Sequence, residues 1–213
     1  MILFLDVISP KPKFVIIDNN KVVKTLYILD HNETKISDSI HKKILKYQKK
    51  NNILNFLDYL VICNGPGSYT SLRVGMSFML GISYSKKIPI YGLSCIDLLS
   101  RSIVEKDFGK TILIISSANN QNFICLPSNK KYYKYDTYNI NNEYLFKNVN
   151  LNVYSKCISN YTLSTKIKEK ILINIEYLEY KKIENNFINY LPIDLKKETF
   201  LQPIYISENK LFD

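Results

Sequence analysis

All six glycines of this 213-residue chain fall between Gly65 and Gly109, and three of them stand in one stretch, NGPGSYTSLRVG, from Asn64 to Gly75. Positive φ and close backbone approach come cheaply only at glycine, so special backbone geometry is concentrated in this segment. An apolar run, DYLVIC (Asp58–Cys63), precedes it, and MSFMLGISYSKK (Met76–Lys87) follows with apolar residues at helical spacing. Gly65 and Gly67 around Pro66 let a strand reverse directly into a helix start, with Ser68 or Thr70 placed to cap it. A turn of this kind offers amide groups at a positive helix end, where anions bind. No Lys-Ser or Lys-Thr pair follows it, as a P-loop requires, and GPGS lacks the spacing of a nucleophile elbow. Gly65, Pro66, Gly67 and Ser68 therefore read first as a structural loop, with partner recognition and phosphate binding left open.

The elements around this turn predict the architecture. MILFLDVI and PKFVIIDNNKVVKTLYIL are rich in branched apolar residues, and Asn19-Asn20 marks a tight turn, so three strands with a hairpin are expected. Ile36, Ile40, Ile44 and Tyr47 recur at three to four residues among lysines, which predicts an amphipathic helix near 37–50. DYLVIC supplies a fourth strand, the helix after the turn runs to about Lys87, and IPIYGL supplies a fifth strand. Ser94 caps a third helix expected from Cys95 to Lys106. This order is that of an α/β fold of the actin-like or ribonuclease H-like kind, two-lobed, with mixed sheets and flanking helices. The first lobe is expected over 1–108 and a second, divergent lobe over 109–213, with the C-terminal segment free to return to the first. TILIISS and NFICLP flank a turn in the second lobe, and KKYYKYDTYNI suggests its third strand. KIKEKILINIEYLEYKKIE fits a helix or a strand, and no internal repeat is legible.

Composition narrows the function classes. The net charge is +10 with a pI of about 9.2, which favours an anionic partner. Only Arg73 and Arg101 are arginines, however, and a dedicated phosphate reader more often uses the forked guanidinium. Cys63, Cys95, Cys125 and Cys157 are scattered without a CxxC pair, so neither structural zinc nor a disulfide framework is expected. The opening MILFLDVISP reads as a strand rather than a leader, and no run approaches the roughly 20 apolar residues of a membrane span. A cytoplasmic protein is expected.

The helix after the turn carries small residues on two sides. Ser71 and Gly75 are four apart, as are Ser77, Gly81 and Ser85, which permits close approach of other elements on both. One such side suffices for packing on the chain's own sheet, so the other suits an external partner. Leu72, Met76, Met79 and Leu80 lie between them as soft apolar surface.

GPGSYTSLRVG, followed by KKIPIYGLSCIDLLS, resembles the signature of the bacterial tRNA threonylcarbamoyladenosine biosynthesis protein TsaB (YeaZ) family, GPGSFTGLRIG then GIPLVGVSSLEAL. ILFLDVIS is similar to that family's ILALDTST, and QPIYIS to its PLYLR. The chain departs from the pattern at Ser71, at Ser207, at Ile36, and in SSANNQNF, which lacks the charges of the family's DARRGEVY hairpin. The resemblance implies an actin-like fold and a non-catalytic scaffold. That scaffold would pair with a TsaD-like catalytic paralogue through first-lobe helices, act with a TsaE-like small ATPase, and reach tRNA through the complex. On this basis the partner surface is expected at Ile36, Ile40, Ile44, Tyr47, Thr70, Leu72, Arg73, Gly75, Met76, Met79 and Leu80, with no catalytic residue, metal or cofactor. A homodimer through the same helices stays open.

Two other readings stay open. An actin-like enzyme binding ATP by itself would use Asp6 and Ser9 near a metal-bound phosphate. Its phosphate turn would be Ser9-Pro10-Lys11-Pro12, which has no glycine for close backbone approach, and His31 and His41 are ten apart rather than the four that place two imidazoles on one helix face. The third reading is a basic RNA-binding module, for which lysines and tyrosines are present without a recognisable signature.

Overall fold

Apolar runs buried on both faces make the central strands of this chain. The computed structural model describes residues 1–30, 35–117, 121–128, 135–141, 147, 149–171, 175–177, 182–189 and 201–206. β1 (Ile2–Asp6), β2 (Lys13–Asp18) and β3 (Lys21–Tyr27) form an antiparallel meander. Asn19 and Asn20 turn it with φ of 46° and 58°, the left-handed pair that a two-residue hairpin needs. β3 is the sheet's edge, and Lys21 and Lys24 stand exposed along it, which discourages further strand pairing.

Helix α1 (Ile36–Asn51) then crosses to β4 (Tyr59–Cys63), which pairs parallel with β1, and α2 (Tyr69–Lys86) crosses to β5 (Ile90–Leu93), parallel with β4. Asn52 and Lys87 end the two helices in left-handed conformations, with φ of 51° and 55°. Ser94 caps α3 (Cys95–Ser100) by accepting from the amides of Ile96 and Asp97 at 3.1 and 3.4 Å. This helix stops at Ser100, six residues short of the expected end. The Ser100 and Ser102 hydroxyls donate to the carbonyls of Asp97 and Leu99 at 3.0 and 2.6 Å, and β-branched Ile103 and Val104 follow, so the last turn's carbonyls are taken by side chains.

The second half repeats the plan. β6 (Thr111–Ser116), β7 (Asn122–Pro127) and β8 (Tyr135–Asn139) form an antiparallel meander, while β9 (Lys156–Ser159) and β10 (Glu176–Tyr177) add in parallel, giving the order β10-β9-β6-β7-β8 against β3-β2-β1-β4-β5 in the first sheet. The topology is duplicated although no sequence repeat was legible, because strand order needs only apolar strands and connections of suitable length. The ambiguous stretch after Ser164 is both helix and strand: α4 (Thr165–Ile171) precedes β10, and α5 (Ile183–Asn189) follows. The tip of the turn between β6 and β7, His31 and Ser207 lie outside the described residues.

Leu113 and Ile115 of β6 face one cluster that runs through the first sheet, α1, α2 and α3, while Ile112 and Ile114 face a second cluster with Ile124, Cys157 and Leu163. One sheet thus lends each face to a different core. No helix among the described residues is long and apolar enough to cross a membrane.

Two glycines test this packing in opposite directions. At Gly65, with φ of +130°, a Cβ would meet the Ile204 carbonyl oxygen at 2.6 Å, whereas at Gly81 it would meet nothing within 4 Å. Gly65→Ala should lower the unfolding free energy by roughly 2–4 kcal/mol through backbone strain and steric overlap. Gly81→Ala should raise it by about 0.5–1 kcal/mol through helix propensity. Urea unfolding midpoints of the two variants check both signs.

Candidate functional site

The turn from β4 into α2 is held from three directions by its own chain. Asn64 to Ser68 are all buried. The Gly65 carbonyl accepts from the Cys95 amide at 2.8 Å, and the Ser117 hydroxyl accepts from the Ser68 amide at 3.1 Å. From the C-terminal segment, the Ile204 amide donates to the Asn64 carbonyl at 2.8 Å and the Gln202 carbonyl accepts from Asn64 Nδ2 at 3.0 Å. A Cβ on Gly67 would press on Ile8 at 3.2 Å. Gly65, Pro66, Gly67 and Ser68 thus form a buried structural joint, and the Ser68 amide that an anion would seek is already bonded. Ser68 occupies the N-cap position of α2 without a side-chain capping bond.

Beside this joint lies a buried charged centre. The Asp6 carboxylate, fully enclosed at the end of β1, accepts from the amides of Ile8 and Ser9 at 2.9 and 3.0 Å and from the Ser9 hydroxyl at 2.5 Å. Its sheet partner Lys13 reaches Glu184 of α5 at 2.9 Å, and Phe187 of the same helix packs on Phe4 with ring centroids 5.3 Å apart. Burial raises the Asp6 carboxyl above its ordinary 3.8, against the lowering pull of Lys13 and the Ser9 hydrogen bonds. Burial alone would lower the Lys13 ammonium, but Asp6 and Glu184 outweigh it and raise it above its ordinary value. Both Asp6 oxygens and the Ser9 groups are therefore occupied in the β1–β2 turn, while Lys13 ties α5 to the sheet. Lys13 and Glu184 were not anticipated, since nothing local links residues so far apart in sequence.

The expected partner surface divides in two. Ile36, Ile40, Ile44, Leu72, Gly75, Met76 and Met79 are buried in the chain's own core, so their assignment to an outer surface is corrected. At Gly75 the sheet approaches so closely that a Cβ would lie 2.9 Å from Val7 Cγ1 and 3.4 Å from Ile62 Cδ1. The amphipathic period identified an apolar face, and the first sheet fully occupies it. Tyr47 is half-buried against the core, while Thr70, Arg73 and Leu80 are exposed.

What α2 presents outward is its other small-residue side. A groove of about 400 Å³ runs along Ser77, Gly81 and Ser85, walled by Leu54, Phe78 and Ile82. Leu80 and Tyr84, the latter 92% exposed, stand on the same turns of α2, and Tyr69 is exposed at its start. Arg73 donates to the Tyr69 hydroxyl at 2.7 Å, its guanidinium lies 5.1 Å from that ring's centroid, and the Tyr69 ring in turn packs against that of Tyr205, tilted by 44° with centroids 4.7 Å apart. Tyr84 was missed, although Arg73, Ser77, Leu80 and Tyr84 follow the i, i+4, i+7, i+11 spacing of one helix face. The lone described histidine, His41, is exposed on α1.

The charged centre generates its own test. Lys13→Met leaves two buried carboxylates unpaired and should cost about 3–5 kcal/mol near neutral pH. A carboxyl whose folded pKa is raised stabilises below its unfolded value and loses that contribution as pH rises through the folded one. Losing Lys13 raises Asp6 further, so the deficit should shrink as pH falls toward about 4, read from unfolding curves at several pH values.

Comparisons agree with this architecture. The family model described as TsaD, tRNA N6-adenosine threonylcarbamoyltransferase, matches residues 34–165. Over 77 residues the chain is 34% identical to the tRNA threonylcarbamoyladenosine biosynthesis protein TsaB of Buchnera aphidicola subsp. Schizaphis graminum, a segment that covers 36% of each protein. The match thus spans about a third of that relative's length. YeaZ from Pseudomonas aeruginosa superposes with a TM-score of 0.58 at 10% identity, covering 96% of this chain and 99% of that one. A second Pseudomonas aeruginosa structure, described as an uncharacterized protein with similarity to peptidase YEAZ, gives 0.58 at 10% over 97% and 99%. These two likenesses carry the fold, which is the actin-like α/β arrangement expected from the order of elements. With the family model matching more than half of its length, this chain belongs to the TsaD-type family.

Proposed function

We propose that the chain takes part in making threonylcarbamoyladenosine in tRNA as a non-catalytic scaffold that docks on a TsaD-like catalytic paralogue. Names of its relatives supply the reaction, and the outer side of α2 supports the mode of action. Gly81 carries the argument. A glycine inside a helix costs about 1 kcal/mol relative to alanine, and here no internal contact requires it. On the same helix the exposed Tyr69, Arg73 and Tyr84 are residue types that anchor protein interfaces, Leu80 adds apolar area, and the groove admits a partner helix close to the backbone.

In this reading the first lobe, 1–108, carries the docking surface, and the second lobe, 109–213, braces it through α5 and the 201–206 segment. A TsaE-like small ATPase acts with the pair, and tRNA meets the assembled complex. The stand-alone ATP-binding reading is less well supported, because the Asp6 carboxylate spends its oxygens on Ile8 and Ser9 inside a closed centre.

Gly81→Gln places a polar side chain in the groove while favouring the helix, so it should weaken binding to the TsaD-like partner by 10- to 100-fold, about 1.4–2.8 kcal/mol. Titration calorimetry of the purified pair measures this, with the thermal melt of the variant alone as the folding control. Undiminished affinity would rule out the groove as the docking site.

A further inference from the structure

Two glycines of the first lobe are shaped around residues 201–206. At Gly65 a Cβ would meet the Ile204 carbonyl oxygen at 2.6 Å, and at Gly92 of β5 it would lie 3.0 Å from Leu201 Cδ1. The segment is therefore fitted into the β4–α2 joint rather than laid loosely over it. Asn64 holds its backbone at the Gln202 carbonyl and the Ile204 amide, and Leu201, Tyr205 and Ile206 pack against the first core. With the residue before it bonded in this way, Tyr205 has a fixed starting point.

From there its ring meets the exposed start of α2. It packs on Tyr69, the first residue of that helix, with centroids 4.7 Å apart, and the Tyr69 hydroxyl accepts from Arg73 one turn later at 2.7 Å. These contacts run unbroken from the C-terminal segment through Tyr205 and Tyr69 to Arg73. Tyr69 is 55% exposed and Arg73 is exposed as well, and an exposed arginine otherwise samples many staggered rotamers. Tyrosine and arginine are residue types that anchor protein interfaces, and each rotamer-rich side chain that a partner must immobilise lowers its affinity. Ordering the two in the free chain removes part of that cost before the partner arrives.

We propose that Tyr205 is a positioning residue for docking, one that packs on Tyr69 and thereby holds Arg73 in the orientation the TsaD-like partner meets. The C-terminal segment then governs affinity from a place the partner does not touch. This inference rests on the docking of α2 proposed above and adds to it the part of the chain that sets the docking surface.

Arg73 and Arg101 are the only arginines of the chain, so the Arg73 Nε–H resonance of the labelled full chain is assigned with Arg73→Lys and its order parameter read without any partner. Tyr205→Ala should lower that order parameter toward the flexible range, below about 0.6, and weaken binding of the TsaD-like partner about 3- to 10-fold by titration calorimetry. Tyr205→Phe, which keeps the ring, should restore both. Thermal melts check folding, and Tyr205→Leu, which keeps apolar volume against the core, takes the place of Tyr205→Ala if that variant does not fold. In a chain already carrying Tyr69→Ala, Tyr205→Ala should weaken binding by less than about twofold further, because its effect passes through Tyr69. An unchanged Arg73 order parameter would overturn the positioning role. Additive losses from Tyr69→Ala and Tyr205→Ala would overturn it in favour of direct contact between Tyr205 and the partner. Parental affinity in Tyr205→Ala while Gly81→Gln weakens binding would overturn this inference and leave docking on α2 standing. Parental affinity in both Gly81→Gln and Tyr69→Ala would instead remove the docking reading, and this inference with it.

Discussion

Backbone satisfaction at the turn between β4 and α2 governs much else in this molecule. Five consecutive residues, Asn64 to Ser68, are buried there, and buried backbone polar groups are costly unless bonded. Their partners come from Cys95, Ser117, Gln202 and Ile204, which belong to α3, the end of β6 and the C-terminal segment. The turn is therefore a point where remote parts of the chain must arrive together. Glycine is needed at 65 because the Ile204 backbone lies where a side chain would begin.

From this joint α2 is laid flat on the first sheet. Gly75 brings its backbone against Val7 and Ile62, and Phe78 reaches Phe14 at 5.8 Å. The sheet takes up Leu72, Gly75, Met76 and Met79 of that helix, which turns Ser77, Gly81 and Ser85 outward. On the opposite face of the sheet, Phe4, Asp6 and Lys13 meet Phe187 and Glu184 of α5. A buried ion pair is weak support for stability in itself, yet leaving it half-made is expensive, so it specifies where α5 must sit. Among the described residues the two sheets are thus tied by the Lys13–Glu184 pair, the Ser68–Ser117 hydrogen bond, a continuous apolar cluster and the returning 201–206 segment.

The outer surface then falls into separate territories. α2 offers aromatic, aliphatic and glycine positions, and α1 offers lysines around an exposed Leu45. Neither helix spends these residues on its own packing, which distinguishes them from the isoleucines and methionines that the chain buries.

Local periodicity and turn chemistry in the sequence determined the first sheet, α1, α2, the Asn19-Asn20 hairpin and the order that marks an actin-like fold, since these depend on residues within a few positions of one another. The glycine-rich turn was legible as a joint for the same reason. Tertiary structure alone decided which of α2's two small-residue sides faced inward, because helical spacing gives both sides equal claim until a sheet covers one. It also decided the early end of α3, where hydroxyls compete for carbonyls, the duplication of the sheet, and the Lys13–Glu184 pair. Contacts between residues 171 positions apart are set by how the lobes close, and composition along the chain carries no record of that closure.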